Sequence, residues 1–360
     1  MKNTILGLTC ISEELKEKDK AKYSFRTMTR RRFNDICVKD SKDEAIEQLS
    51  EKILHNALTT RYIIRHCAQN NILHYRLSSA LFPLITDDAT NVSLEDLPNK
   101  LEIQEELKFA GKIAKDFGIS IGSHPDQFNV LASKNLDAID RTIKELNFQA
   151  SVLDMLGLPQ DHTAPMNIHI NAPLPRAEHE DVKEGVDPES FLNYQISEVA
   201  ECFYDNLMKC DSGVYNRLTI ENEDRGSWNV DNIIKFSDYI FQQFKFNLPV
   251  CYDNLHDICN PSEVLDIQWQ AERCAYTWVN QNSEGRILEE GDFIAPVFHW
   301  SEGCPDKPRA HAEYFSYRYS PPIIAINPDQ EAKWECEVKG KDKAIRLLRE
   351  NLIGKTIKKP

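Results

Sequence analysis

A chain of 360 residues with a formal charge of −14, 41% apolar and 28% charged, has the composition of an ordinary folded globular protein. No apolar run reaches the roughly 18 residues of a membrane-spanning helix and the start lacks a secretory-signal pattern, so a cytoplasmic protein without a membrane partner is expected. The negative balance argues against adhesion to nucleic acid through Lys and Arg alone, and ten cysteines without a Cys-x-x-Cys pair fit reduced, mostly buried thiols better than a zinc knuckle or a disulfide scaffold.

Eight short segments rich in β-branched and apolar residues recur along the chain: Ile5 to Cys10, Leu73 to Ser78, Ile119 to Ser123, Met166 to Asn171, Leu218 to Glu221, Pro249 to Asp253, Ile294 to His299 and Trp334 to Val338. Their near-continuous apolar character suits strands of a parallel sheet buried on both faces. Amphipathic helices are expected over Asp43 to Gln69, Leu101 to Phe117, Leu136 to Leu156, Pro188 to Cys210, Val230 to Phe244, Pro261 to Val279 and Asp342 to Leu352. Between strands seven and eight the prolines Pro305, Pro308, Pro321, Pro322 and Pro328 break the helical pattern. Alternating strands and helices of this number predict an α/β fold, a (β/α)8 TIM barrel filling residues 1–360 as one domain. The connections after strands one and two, Ile11 to Ser41 and Leu84 to Lys100, read as long loops at the C-terminal face, where barrel active sites are built.

Five of the ten histidines fall at or just beyond strand C-termini or in the loop after strand seven: His124, His169, His256, His299 and His311. The other five (His55, His66, His74, His162 and His179) have ordinary positions. Carboxylates join at the same level, with Glu221 ending strand five, Asp253 ending strand six and Glu337 ending strand eight. Charge at a barrel-strand terminus is costly unless paired or bound to a cation. Mixed imidazole and carboxylate donors without thiolate suit Zn2+, Mn2+ or Fe2+. Eight donors exceed the needs of one mononuclear site, so two or three divalent cations are expected, with Glu221 or Glu337 suited to bridge. Clustered cations match phosphodiester hydrolysis.

The residues at this point resemble a known family, the UV damage endonucleases, barrel relatives of endonuclease IV-type abasic-site nucleases. The resemblance is carried in order by Gly7-Leu8-Thr9-Cys10, Tyr75-Arg76-Leu77-Ser78-Ser79 with Phe82-Pro83, Ser123-His124-Pro125-Asp126-Gln127-Phe128, Asn167-Ile168-His169, Glu221-Asn222-Glu223-Asp224, Asp253-Asn254-Leu255-His256, Phe298-His299-Trp300-Ser301, Ala310-His311-Ala312 and Glu337-Val338-Lys339. It implies a monomeric repair endonuclease that cuts damaged double-stranded DNA immediately 5′ to cyclobutane pyrimidine dimers or 6-4 photoproducts, and at abasic sites, leaving a 3′-hydroxyl and a 5′-phosphate. Metal ligation is implied for His124, His169, Glu221, Asp253, His256, His299, His311 and Glu337, with catalysis resting on Glu221, Glu337 and His299. Manganese is the expected metal, with zinc and magnesium as alternatives. Gln127 and Phe128 are implied as the pair that probes the lesion, because a wedge selects an already unstacked site without reading sequence. The run Arg30, Arg31 and Arg32 is a candidate contact to the DNA backbone. Leu8 stands where some members have tyrosine, Phe128 where tyrosine is common, and Val297 where some carry lysine. The insert from Ala177 to Asp187 carries no assigned role. Two rival readings remain on the same residues: a metal-dependent sugar isomerase or epimerase, and a non-catalytic damage-binding module.

Overall fold

The computed structural model describes residues 5–126, 129–176, 187–279, 293–327 and 330–352. Eight parallel strands form the barrel: β1 (Ile5–Thr9), β2 (His74–Arg76), β3 (Ser120–Gly122), β4 (Met166–His169), β5 (Leu218–Glu221), β6 (Val250–Cys251), β7 (Val297–Trp300) and β8 (Lys333–Cys336). Hydrogen bonding runs β3-β2-β1-β8-β7 in one arc and β4-β5-β6 in the other. Two parallel bridges, Ser123 with Met166 and Asp253 with His299, join the arcs on both sides and close the barrel. The predicted architecture is therefore the observed one.

The helices follow the predicted pattern: α1 (Lys42–Gln69), α2 (Lys100–Asp116), α3 (Leu136–Met155), α4 (Pro188–Leu207), α5 (Val230–Phe244), α6 (Ile267–Ala275) and α7 (Lys341–Leu352). α6 is shorter at both ends than the apolar pattern suggests, and its start is fixed by Asp266, which accepts from the Trp269 N–H. The connection after β1 is not an open loop. It folds into three short helices, Glu13–Lys18, Lys20–Tyr23 and Arg30–Lys39, started by side-chain caps from Ser12, Asp19 and Thr29. The proline-rich stretch after β7 contains an antiparallel hairpin that pairs Gly303–Cys304 with Lys307–His311.

Successive residues of a strand face opposite sides, and this period of two partitions the barrel. Leu6, Leu8, Tyr75, Ile121, Ile168, Ile220, Phe298 and Trp334 belong to the apolar core under the helices. Trp334 meets Phe298 edge-on at 5.3 Å between ring centroids, and Phe298 meets Trp278 at 6.3 Å. The alternate positions face inward and are polar: Thr9, His74, Arg76, Asn167, His169, Thr219, Glu221, His299 and Glu335. The strands are buried on both faces as expected, but only the outer face is apolar.

The first connection is fastened to the C-terminal helix by one carboxylate. Asp342, at the start of α7, accepts from the Ser12 hydroxyl and from the Glu13 N–H at 2.9 Å, while His66 Nε2 of α1 lies 3.0 Å from its second oxygen. Burial pushes this carboxyl up, but hydrogen bonds from His66 and Ser12 outweigh it and hold it below the ordinary 3.8. A group depressed on folding stabilises the fold above its unfolded value and loses that contribution as pH falls through its folded value. Asp342→Asn is therefore expected to cost about 1–3 kcal/mol at pH 7. In urea titrations the gap between wild type and variant should narrow as pH drops below about 4.

Candidate metal centre

The C-terminal mouth of the barrel converges on Glu221, the last residue of β5, whose side chain is buried. His124, just beyond β3, places Nε2 3.0 Å from Glu221 Oε2. His169, ending β4, places Nε2 3.9 Å from the same oxygen. Glu221 Oε1 lies 3.1 Å from Nδ1 of both His256 and His299. Four imidazoles from four different strand ends thus surround one carboxylate. Asp253 caps the short helix Asn254–Cys259 by accepting from the His256 N–H through Oδ1 at 2.8 Å, which leaves Oδ2 3.6 Å from His299 Nδ1. Glu337 Oε1 is 3.7 Å from His299 Nδ1, and its other oxygen is 3.8 Å from His311 Nε2 on the hairpin. All eight predicted donors therefore meet at one mouth.

Beneath them lies a second buried layer that the sequence reading passed over. Glu335 of β8 reaches across β1 to His74 Nε2 at 2.7 Å, and its second oxygen faces His299 Nε2 at 3.2 Å and Arg76 Nη1 at 3.0 Å. The path across β1 is open because Gly7 sits between the two in register; a Cβ there would come within 2.8 Å of the His74 ring. Arg76 also pairs with Glu337. Asn167 donates to Glu221 and accepts from the Thr219 hydroxyl at 3.0 Å. The usable signal was the period of two: Glu335 precedes Glu337 by two residues, and Asn167 precedes His169 by two.

The charge pattern suits bound cations. Burial, the largest influence on Glu221, pushes its carboxyl up, but His299, His169, His124 and His256 together draw it well below the ordinary carboxylate range. Burial likewise opposes charge on His299 and His256, yet the neighbouring carboxylates, Glu221 and Glu337 for the first and Asp253 and Glu221 for the second, raise both well above 6.5. Burial holds His169 down at about 4, so its ring is neutral and able to donate a lone pair. Cys251 lies under His299, and burial pushes its thiol up to about 12, which removes it as a thiolate donor.

The donor set passes a direct test of fit. Asp253 Oδ2 and His169 Nδ1 are buried without a hydrogen-bond partner, and buried polar atoms are rarely left so unless an ion or water completes them. Three overlapping triads, His124–Glu221–His299, His169–Glu221–His256 and Asp253–His299–Glu337, each bring their donor atoms within 4.8 Å of one another. A fourth triad, Glu14–His66–Asp342, lies elsewhere, and its Asp342 oxygens are already occupied by hydrogen bonds from the first connection.

Other predicted positions are placed differently. Gln127 and Phe128 lie outside the described residues, as does the insert 177–186. Arg30, Arg31 and Arg32 open an exposed helix turn, with Arg30 Nε bonded to Asp87 at 2.8 Å and Arg31 loosely paired with Asp35. Arg30, Asp87, Asp126 and Asn129 share the wall of a cleft of about 860 Å³. Leu8 is fully buried on the outer face of β1, so it offers no surface to a ligand. Val297 is buried at the start of β7, paired in register with Lys333.

A closed (β/α)8 barrel whose C-terminal mouth gathers imidazole and carboxylate groups that could hold metal ions has the arrangement in which barrel enzymes build their active sites. A family model described as UV-endonuclease UvdE matches residues 4–187, just over half of the chain. A protein of Nostoc sp. named UV DNA damage endonuclease is 30% identical, over 96% of this chain and 89% of its own length. A Bacillus cereus protein of the same name is 21% identical over 90% of this chain and 87% of its own. The crystal structure of SacUVDE superimposes with a TM-score of 0.69 at 21% identity, covering 98% of this chain and all of the other, which supports the fold. The chain belongs to the UvdE family of UV-endonucleases, and it is an enzyme.

Among the described residues Arg76 is the one arginine or lysine paired with both Glu335 and Glu337. Removing one partner of a buried charge network leaves the others uncompensated. Arg76→Met is expected to destabilise the metal-free protein by about 3–5 kcal/mol. The loss should appear as a lower urea midpoint at unchanged slope, with Arg76→Lys recovering part of it.

Proposed function

We propose that this enzyme makes a metal-dependent nick in double-stranded DNA immediately 5′ to a cyclobutane pyrimidine dimer or 6-4 photoproduct, leaving a 3′-hydroxyl and a 5′-phosphate. Abasic sites fall within the same reading. The observation that carries it is the convergence of seven further donors about the buried Glu221 at a barrel mouth. Membership of the UV-endonuclease family supports the substrate class.

His124, His169, Glu221, Asp253, His256, His299, His311 and Glu337 would hold two or three divalent cations, manganese in this reading. Such cations acidify the attacking water and neutralise charge on the phosphate and on the leaving 3′-oxygen. The chain supplies the rest. Glu221, with an oxygen in each of two donor triads, sets the spacing of the centre. Glu335 and Arg76 orient His299 and Glu337 from below, and such supporting contacts commonly matter about 10- to 100-fold in metal affinity or activity. Asn167 holds Glu221 in place. Gln127 and Phe128, on the segment that follows His124, insert beside the lesion. Unstacking costs a few kcal/mol per step and least at a distorted site, so damage is selected by its weak stacking. Arg30, Arg31 and Arg32 steer the phosphate backbone. The chain works as a monomeric single-domain barrel inside the cell.

The decisive experiment is incision of an end-labelled duplex carrying one defined cyclobutane dimer, with Mn2+ and with chelator. One nick just 5′ to the dimer in Mn2+, and none in chelator, is the expected result. An uncut duplex across Mn2+, Zn2+ and Mg2+, with barrel circular dichroism intact, would sink the proposal. Glu221→Gln should lower single-turnover incision by about 10²-fold or more while retaining the circular dichroism of the wild type. A near-normal rate would remove Glu221 from the centre.

A further inference from the structure

One cation at the mouth has no role in the centre described above. Lys341 follows β8 at the same barrel end as Glu337, and its ammonium donates to the Thr9 hydroxyl of β1 at 2.9 Å. An ammonium has three N–H donors. Among the described residues this is the one bond that Lys341 Nζ makes, and no carboxylate stands close enough to form an ion pair with it. The contrast with other cations is direct. Arg76 holds two carboxylates, the buried Arg217 holds Asp154 and several carbonyls, and Lys343 two residues on is paired with Glu17. Lys341 is half-buried, so its spare donors are costly to leave unused.

The backbone that presents it is unusual and is held in place from outside. Lys341 adopts φ +49°, in the left-handed region that a side chain rarely enters. The two residues before it are clamped by the loop beyond the hairpin: the Lys339 N–H donates to Ala312 O at 3.0 Å and the Gly340 N–H to Glu313 O at 2.8 Å. Gly340 is needed there, since a Cβ would lie 2.7 Å from the Tyr314 ring. The same segment carries His311 into the mouth. Local strain that surroundings over-determine clusters where a side chain must be aimed.

The charge around Lys341 also calls for an anion. Burial is the largest influence against its charge, Arg76 repels it as well, and Glu337 attracts it. Once Glu337 is committed to bound cations, the Arg76–Lys341 side of the mouth is net positive. We infer that Lys341 binds a phosphate oxygen of the DNA backbone at the mouth, its ammonium positioned by Thr9 and by the strained turn that the 311–314 segment clamps. This rests on the UV-endonuclease reading and adds to it a substrate-contacting residue.

The test uses an uncleavable duplex in which a 3′-methylene phosphonate, keeping the charge, replaces the linkage 5′ to a single dimer. Binding is followed by fluorescence anisotropy in Mn2+ across a range of salt concentrations. Loss of one phosphate contact reduces the slope of log K against log salt by about 0.9, and weakens damaged and undamaged duplex alike. Lys341→Gln is expected to show that smaller slope, with affinity about fivefold or more weaker at low salt, and Lys341→Arg to keep the wild-type slope. Lys341→Gly removes the ammonium while relieving the left-handed strain, so it guards against simple misfolding. Its melting temperature should equal or exceed that of Lys341→Gln, yet its slope should fall by the same amount. Wild-type slopes and affinities in both the Gln and the Gly variants, alongside a wild type that nicks the ordinary duplex, would overturn the Lys341 inference alone. A wild type that neither binds nor nicks would overturn the endonuclease reading, and this inference with it.

Discussion

Burial of charge inside the barrel is the constraint on which the rest of the structure depends. A carboxylate removed from water must be paired, hydrogen-bonded or bound to a cation. Glu221, Asp253 and Glu335 are each almost completely buried. The inner wall answers with imidazoles and one guanidinium at neighbouring strand positions, so every inward layer is a partner for the layer above or below it. Glu335 joins β8 to β2 and β7, and Glu221 joins β5 to β3, β6 and β7 through their histidines. The interior of the barrel is thus a charged network enclosed by an apolar shell. Among the described residues three of its buried polar atoms, Asp253 Oδ2, His169 Nδ1 and Glu335 Oε2, have no hydrogen-bond partner. Cations held there would complete what the protein leaves open.

The connections serve this network rather than decorate it. The segment after β1 is capped into short helices and fastened by Asp342, which also marks the beginning of α7. The hairpin after β7 brings His311 to Glu337, and the loop beyond it clamps the turn after β8. The first and last elements of the chain are hydrogen-bonded neighbours in the sheet, β1 against β8. The mouth is therefore completed by residues far apart in sequence, and its geometry depends on closure of the whole barrel.

A chain with a formal charge of −14 that acts on a polyanion needs its positive charge concentrated. In the proposed function, carboxylates committed to cations would reverse the local sign at the mouth, where Arg76 and Lys341 already stand. Outside it, the exposed Arg30 to Arg32 turn and the hairpin residues Lys307 and Arg309 provide cations at the surface. The overall balance constrains long-range attraction; the sign at the mouth governs contact.

Much was legible in the sequence. Strand and helix periodicity placed all eight barrel strands, and α5 begins and ends at the predicted residues. The eight donors were recognisable because strand termini of a parallel barrel share one face, so a local position becomes a common centre. The three short helices after β1 were not foreseen, since runs of four to ten residues depend on caps and tertiary fastening more than on periodicity. The apolar runs also concealed the polar inner face: in Trp334-Glu335-Cys336-Glu337 the alternation is plain only once one knows which side looks inward. Which residues meet across strands was decided by the tertiary structure alone. His74 gave no sign of reaching Glu335, 261 residues away. Register between distant strands and the missing side chain of Gly7 bring them together, and neither the register nor the value of that gap exists in the sequence before the barrel closes.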